Sequence, residues 1–249
     1  RANMMTKHSD LYLYNHDIAN IYPEEKWIRE SVRSLRAPVY QVTYSHPIDD
    51  DDHFSQPEKH IIGEICKMAG IQGKVALRPY VYLHEEEMPD WVKPHQHIVI
   101  QTSIMNKNKN TMINKEWLHE RFHELAVYLN KTYKMIQLGS HGDPPIEHAI
   151  DLRGKTSLRE SAAILSRVSF FLGLEGFLMH LARAVDTRSV IIYGGRTHPE
   201  QTGYSCNENI YSDETCAPCW RQNKCDYDRK CMKHIEVEDV LKAVEKLES

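Results

Sequence analysis

The sequence predicts an α/β protein carrying a doubly wound parallel sheet. Three observations predict it. Short, fully apolar runs such as His97–Thr102, Tyr133–Leu138 and Ser189–Tyr193 have the length of buried strands. Stretches with helical spacing stand between them, so the order is strand, helix, strand, as crossover connections require. Each run also ends in glycine or hydroxyl residues, the turn chemistry expected where a parallel sheet meets its ligand.

In the first region, residues 1–92, Leu11–Tyr14 reads as a strand and Glu24–Leu35 as a helix. Pro38–Tyr44 reads as a strand, and Lys59–Met68 as a helix closed by Gly70. Asp49–Asp52 with His53 has the oxygen donors of a cation site, but consecutive acids more often form a solvated loop. Glu85–Glu87, Pro89 and Pro94 read as a charged, proline-marked linker, which places a domain boundary near residue 93.

The second domain, residues 93–235, opens with the strand over His97–Thr102 and a polar loop, NKNKNTMINK, too long for a simple connection. Lys115 precedes a helix with Leu118, Phe122, Leu125 and Leu129 on its core face. A lysine opposes the dipole at a helix start, so the position fits best with an anion between them; the alternative is a plain surface lysine. After the strand over Tyr133–Leu138 comes Gly139-Ser140-His141-Gly142-Asp143. Asp143 or His141 there suits a base or ribose, and a simple turn explains the glycines equally well.

Residues 151–195 then repeat the pattern. Leu158, Ala162, Leu165 and Val168 mark a helix, Val168–Leu172 a strand stopped by Gly173, and Leu178, Leu181, Ala182 and Val185 a second helix before Ser189–Tyr193. The turn Gly173-Leu174-Glu175-Gly176 is the expected place for chemistry: a helix start offers N–H groups to a phosphate, Glu175 accepts from sugar hydroxyls, and His180 lies one turn on. The alternative is a merely capped helix with His180 in the core. No G-x-G-x-x-G follows the first strand of this domain, so a dinucleotide fingerprint is absent. Val237, Val240, Leu241, Val244 and Leu247 mark an amphipathic terminal helix over residues 236–249.

The chain has 249 residues and a net charge of −4, from 31 basic and 35 acidic side chains. That length supports real cores without a metal or disulfide. Without a basic stripe, nucleic acid is not an expected partner. No apolar run nears the roughly 20 residues of a membrane helix, and no signal peptide opens the chain. The expectation is a cytoplasmic protein, compatible with peripheral association at the inner membrane face. Cys216, Cys219, Cys225 and Cys231 put four thiols in one short segment, at spacings that suit a tetrahedral zinc or iron site. Reduced, unliganded thiols are the alternative, with disulfides disfavoured in a reducing compartment. Cys66 and Cys206 read as ordinary side chains.

Several elements together resemble the glycosyltransferase family that contains the ADP-heptose:lipopolysaccharide heptosyltransferases. They are Lys115-Glu116-Trp117, Leu152-Arg153-Gly154-Lys155-Thr156-Ser157-Leu158, Glu175-Gly176-Phe177-Leu178-Met179-His180-Leu181-Ala182, and Tyr193-Gly194-Gly195 followed by Pro199. The likeness covers about residues 97–245, and a cysteine cluster ahead of Met232 and Ile235 also recurs in relatives. It implies the GT-B architecture of two Rossmann-like domains. It also implies inverting transfer of a sugar, heptose by default, from a nucleotide-diphosphate donor such as ADP-heptose to a saccharide acceptor in lipopolysaccharide or another surface glycan. By the same resemblance Thr102, Ser103, Lys115, Gly139, Glu175, Gly176 and His180 would line the donor site, with no metal needed for catalysis. Some cysteine-bearing relatives hold iron. The family more often carries Asp-Ser/Thr-Gly where this chain has Glu175-Gly176-Phe177, a longer acid and one hydroxyl fewer.

Family members also open with a strand and glycine-bearing loop that supply the acceptor-side base. This chain opens on Arg1 and shows no such unit, so the first domain is expected to be partial and no catalytic base is assigned. The rival readings are a non-catalytic or truncated nucleotide-sugar-binding subunit and a sugar-nucleotide epimerase of the same fold.

Overall fold

The computed structural model describes residues 2–25, 43–49, 52–104 and 112–249. Near the N-terminus β1 (Ala2–Thr6) and β2 (Ile18–Pro23) form a two-stranded parallel pair. Between them Ser9–Tyr12 is a 3₁₀ turn, not the strand expected over Leu11–Tyr14. Its Leu11 still packs against the core, so the apolar residues predict burial but not backbone form. Helix α1 (Ile61–Met68) follows, capped by the His60 ring, which accepts from the Ile62 N–H. Most of the helix expected over Glu24–Leu35 and most of the strand over Pro38–Tyr44 lie outside the described residues, as does most of the polar loop before Lys115.

The body of the protein is one six-stranded, wholly parallel sheet. Its strands are β3 (His97–Ile100), β4 (Lys134–Gln137), β5 (Ile150–Asp151), β6 (Phe171–Leu174), β7 (Ser189–Tyr193) and β8 (Glu208–Tyr211). They lie in the order β5-β4-β3-β6-β7-β8. The chain starts in the middle, winds outward to one edge, returns to β6 beside β3 and winds to the other. The winding therefore reverses between β3 and β6, the point at which parallel sheets of this kind form a ligand crevice.

Side-chain alternation along the strands builds two cores. Ile98, Ile100, Leu172, Leu174, Val190 and Ile192 face one way, covered by α2 (His119–Leu129) and the C-terminal helix (Val237–Glu248) through Phe122, Leu125, Val240 and Val244. Val99, Ile136, Phe171 and Ile191 face the other way, against α3 (Leu158–Leu165) and α4 (Phe177–Ala184). Short helices α5 (Pro199–Thr202) and α6 (Lys230–Lys233) precede the C-terminal helix, α7. No described helix is long and apolar enough to cross a membrane.

Gly173 does not stop β6 but lies within it. A Cβ there would stand 2.6 Å from the Phe171 ring and 3.1 Å from Gln101 Cβ, so the glycine lets neighbouring side chains close over the strand. The expected turn is thereby reduced to Glu175-Gly176.

The first region is not loosely attached. Glu85–Glu87 is a 3₁₀ turn, and Glu87 pairs with the buried Arg159 of α3 at 2.8 Å. The same guanidinium donates to Tyr82 O (2.6 Å) and Asp10 O (3.0 Å). One side chain thus clamps three segments to the sheet's covering helix, and Ser157 and Glu160 hold that helix's start in a capping box. Arg159→Ala strands the carboxylate and both carbonyls, and is expected to cost about 3 kcal/mol of stability in denaturant unfolding. A loss under roughly 0.5 kcal/mol would show that the clamp is not holding these segments.

Candidate functional site

Every residue singled out for donor binding except His180 lies at or just beyond the carboxyl ends of the strands, with Lys115 in the connection that leaves β3. Thr102 and Ser103 follow β3, and Gly139 follows β4. Glu175 and Gly176 follow β6, while His180 occupies the first turn of α4.

Lys115 closes a 3₁₀ turn, Ile113–Lys115, ahead of α2 rather than beginning that helix. Two neighbours fix the turn. Asn114 donates to Arg221 O (3.2 Å) and Lys224 O (2.8 Å), and the Trp117 indole donates to Ile235 O at 2.9 Å. The lysine is thereby driven into the protein, where its ammonium pairs with the Glu175 carboxylate. The anion that the sequence called for is, in this state, the protein's own acid. Burial lowers the Lys115 pKa against the pull of Glu175. For Glu175 burial, the largest influence, acts in the opposite sense, yet Lys115 together with His180 and Arg196 holds the carboxyl below the usual range. Thr197, beyond β7, donates to the same carboxylate at 3.1 Å.

Gly176 has extended backbone at the start of α4, and a Cβ there would meet Ile104 at 3.3 Å. The His180 ring, one turn on, hydrogen-bonds the Tyr204 hydroxyl through Nδ1 at 2.7 Å. Burial pushes its pKa down to about 4, only partly offset by Glu175, so the ring is neutral near pH 7.

On the β3 side the hydroxyls are already engaged. Thr102 donates to Pro144 O (2.8 Å) and accepts from the Gln137 amide (3.0 Å), while Ser103 donates to Glu116 at 3.0 Å. Gly139 has φ +140° and lies under the Asp143 carboxylate, which accepts from the Ser140 N–H at 2.9 Å. Burial raises the Asp143 pKa to about 6.

The structure thus joins Lys115, Glu175 and His180 in one cluster and sets Thr102, Ser103 and Gly139 along its β3–β4 flank. It adds three residues the sequence reading did not select. Thr197 and Arg196 follow Gly194-Gly195 at the end of β7, the position that the strand-end rule itself points to. Tyr44, from the first region, lies within electrostatic reach of Glu175 and Arg196. Gly194 is obligatory here, because a Cβ would meet Asn114 O at 2.7 Å and Met232 Sδ at 2.8 Å.

The four cysteines line one cavity of about 230 Å³ with Asn114, Gly195, Arg196 and Arg221. Their thiols are free of disulfides. Among the described residues, no group of three or more His, Cys, Asp or Glu side chains is arranged to hold a metal ion. Of the acidic run over residues 49–53, the described residues Asp52 and His53 meet the cysteine loop. Asp52 accepts from the Gln222 (2.8 Å) and Lys224 (3.0 Å) N–H groups of the cysteine loop, and His53 meets Arg221 at 2.6 Å.

The neutral His180 gives folding a pH dependence. The unfolded chain takes up a proton below about pH 6.5 and the folded ring resists it to about 4, so stability falls as pH drops through that window, by up to about 3 kcal/mol. His180→Gln removes this component. The stability gap between wild type and variant is expected to narrow from pH 7 to pH 4.5 in denaturant unfolding; an unchanged gap would contradict the assignment.

Residues 90–229, more than half of the chain, match the model of glycosyltransferase family 9 (heptosyltransferase). No curated protein matches the chain. Among solved structures it is similar to a family 9 glycosyl transferase from Veillonella parvula, at 17% identity and TM-score 0.67, covering 99% of this chain and 88% of that one. It is also similar to TibC, the iron-containing dodecameric glycosyltransferase of enterotoxigenic E. coli, at 18% identity and TM-score 0.72, covering 98% and 68%. TibC has been solved with ADP-D-β-D-heptose as well. For E. coli ADP-heptose lipopolysaccharide heptosyltransferase II the figures are 16% and 0.56, with 81% and 64% covered. With the winding of the sheet and the cluster at its crevice, the family match settles the classification: the chain belongs to glycosyltransferase family 9 and is a glycosyltransferase by fold and class.

Proposed function

We propose that this glycosyltransferase moves a heptose from ADP-heptose to a saccharide hydroxyl, in the assembly of lipopolysaccharide or a related surface glycan, with inversion at the anomeric carbon. One observation carries the reading: Lys115, Glu175 and the start of α4 converge at the point where the sheet's winding reverses. That is where an α/β sheet of this kind receives a nucleotide. The donor carried by TibC supports the choice of ADP-heptose.

In the transfer the bond from the anomeric carbon to the diphosphate oxygen breaks with its electron pair on the phosphate, while the acceptor oxygen forms the new bond and gives up its proton to a general base, which is not assigned among the described residues. Charge therefore builds on the leaving diphosphate. Lys115 and the N–H groups opening α4 would stabilise it, an effect that grows toward the transition state. Ser103, Thr102 and Gly139 form the flank along which the nucleoside would lie. Glu175 would exchange part of its hold on Lys115 for sugar or ribose hydroxyls.

Incubation with labelled ADP-heptose and an acceptor saccharide separates the readings. Transfer supports this one, interconversion of the donor favours an epimerase, and binding alone favours a non-catalytic subunit. Lys115→Met, made together with Glu175→Gln so that no buried carboxylate is left unpaired, is expected to weaken ADP-heptose binding about tenfold or more. Unchanged affinity in calorimetry would remove Lys115 from the donor site.

We infer further that the cysteine cavity takes a structural metal, for which the four thiols would have to draw together from their present arrangement. Four thiols around one cavity form a donor set that suits iron or zinc, and TibC is iron-containing. Cys216, Cys219, Cys225 and Cys231 would hold the ion, bracing the loop beside Arg196. Elemental analysis of the purified protein is expected to give about one iron or zinc per chain; a value below about a tenth would reject the site.

A further inference from the structure

Arg196 is the charged residue of the crevice whose role remains open. It follows Gly195 at the end of β7 and is only 6% exposed. A buried guanidinium normally spends its donors on carboxylates or carbonyls. Here Nε has no hydrogen-bond partner. The group lies over the Trp220 ring, 5.0 Å from its centroid, and lines the cavity beside the cysteine loop. Its neighbour Thr197 holds the Glu175 carboxylate at 3.1 Å, which ties Arg196 to the Lys115 pair.

Charge makes this placement meaningful. Lys115 and Glu175 are mutually neutralised, and His180 carries no charge near pH 7. Those three groups alone would offer a diphosphate no net positive charge. Arg196 supplies it, and its field reaches Lys115, Glu175 and Tyr44. Its donors form a rigid fork that matches two phosphate oxygens, and one face is already braced on Trp220.

We propose that Arg196 binds a phosphoryl group of the donor's diphosphate and so sets the selectivity of the site for a diphosphate over a monophosphate or a bare nucleoside. The assignment rests on the donor-site reading above and adds the residue that gives the pocket its net charge. Lys115 and Arg196 would then approach the diphosphate from two directions, one from the β3 connection and the other from the end of β7.

The test is calorimetry on the full chain with ADP, adenosine and inorganic pyrophosphate as probes, alongside thermal unfolding. Arg196→Met keeps an apolar stem against Trp220 and removes the charge; Arg196→Lys keeps the charge and loses the fork. The expected result is a loss of about tenfold or more in ADP and pyrophosphate affinity for Arg196→Met and a smaller loss for Arg196→Lys, with adenosine affinity unchanged. Wild-type affinity for ADP in Arg196→Met overturns the proposal. So does an equal loss of ADP and adenosine binding together with a lowered melting point, which would make Arg196 a brace for the cysteine loop. Arg196-dependent binding of pyrophosphate without any binding of ADP upholds the anion site and rejects the nucleotide donor. Binding of neither probe by the wild type rejects both.

Discussion

The buried pair between Lys115 and Glu175 is the constraint on which the site depends. Ordering two opposite charges inside a protein costs desolvation that their attraction recovers only in good geometry, and removing either partner leaves an isolated buried charge. The pair joins the loop leaving β3 to the loop leaving β6, the two connections that diverge to form the crevice. It therefore locks the mouth of the site before any ligand arrives. Glu175, one residue past β6, brings its carboxylate to the ammonium that the turn before α2 holds.

A second level of order lies beneath the pair. Gln137, wholly buried in β4, donates to Pro144 O at 2.7 Å and accepts from the Ile146 N–H at 2.7 Å. It also donates to the Thr102 hydroxyl, so one amide organises both the loop after β4 and the end of β3. Ser103 and the Ile104 N–H converge on Glu116, whose carboxyl burial pushes upward. These satisfied buried groups make the flank of the crevice rigid, and rigidity before binding is what allows placed dipoles to act on developing charge.

Much of this was legible in the residues. The strand at Ser189–Tyr193 and the terminal helix agree with the sequence to within a residue or two, because each has a clear period and a bounded apolar run. The convergence of residue 115 with the corner before His180 was also readable, since parallel winding brings those two strand ends together. Other features were hidden for physical reasons. Glu208–Tyr211 forms the edge strand with half-buried side chains, so its sequence carries no apolar run. Gly173 looks like a stop, yet its small size serves packing inside β6. Arg196 and Thr197 follow a glycine pair that reads as an ordinary turn, and only the third dimension shows which carboxylate Thr197 reaches. The partners of Asp52 lie about 170 residues away, beyond any local pattern.

That distant contact changes what counts as a domain in this protein. Asp52 gathers consecutive amides of the cysteine loop, Phe54 donates its N–H to Trp220 O at 3.1 Å, and the Gln56 amide reaches Pro218 O at 3.1 Å. A short early segment therefore serves as a splint for the loop that carries the thiols and abuts Arg196. The half built on the six-stranded sheet does not end at that sheet: it borrows a wall from an early segment of the chain.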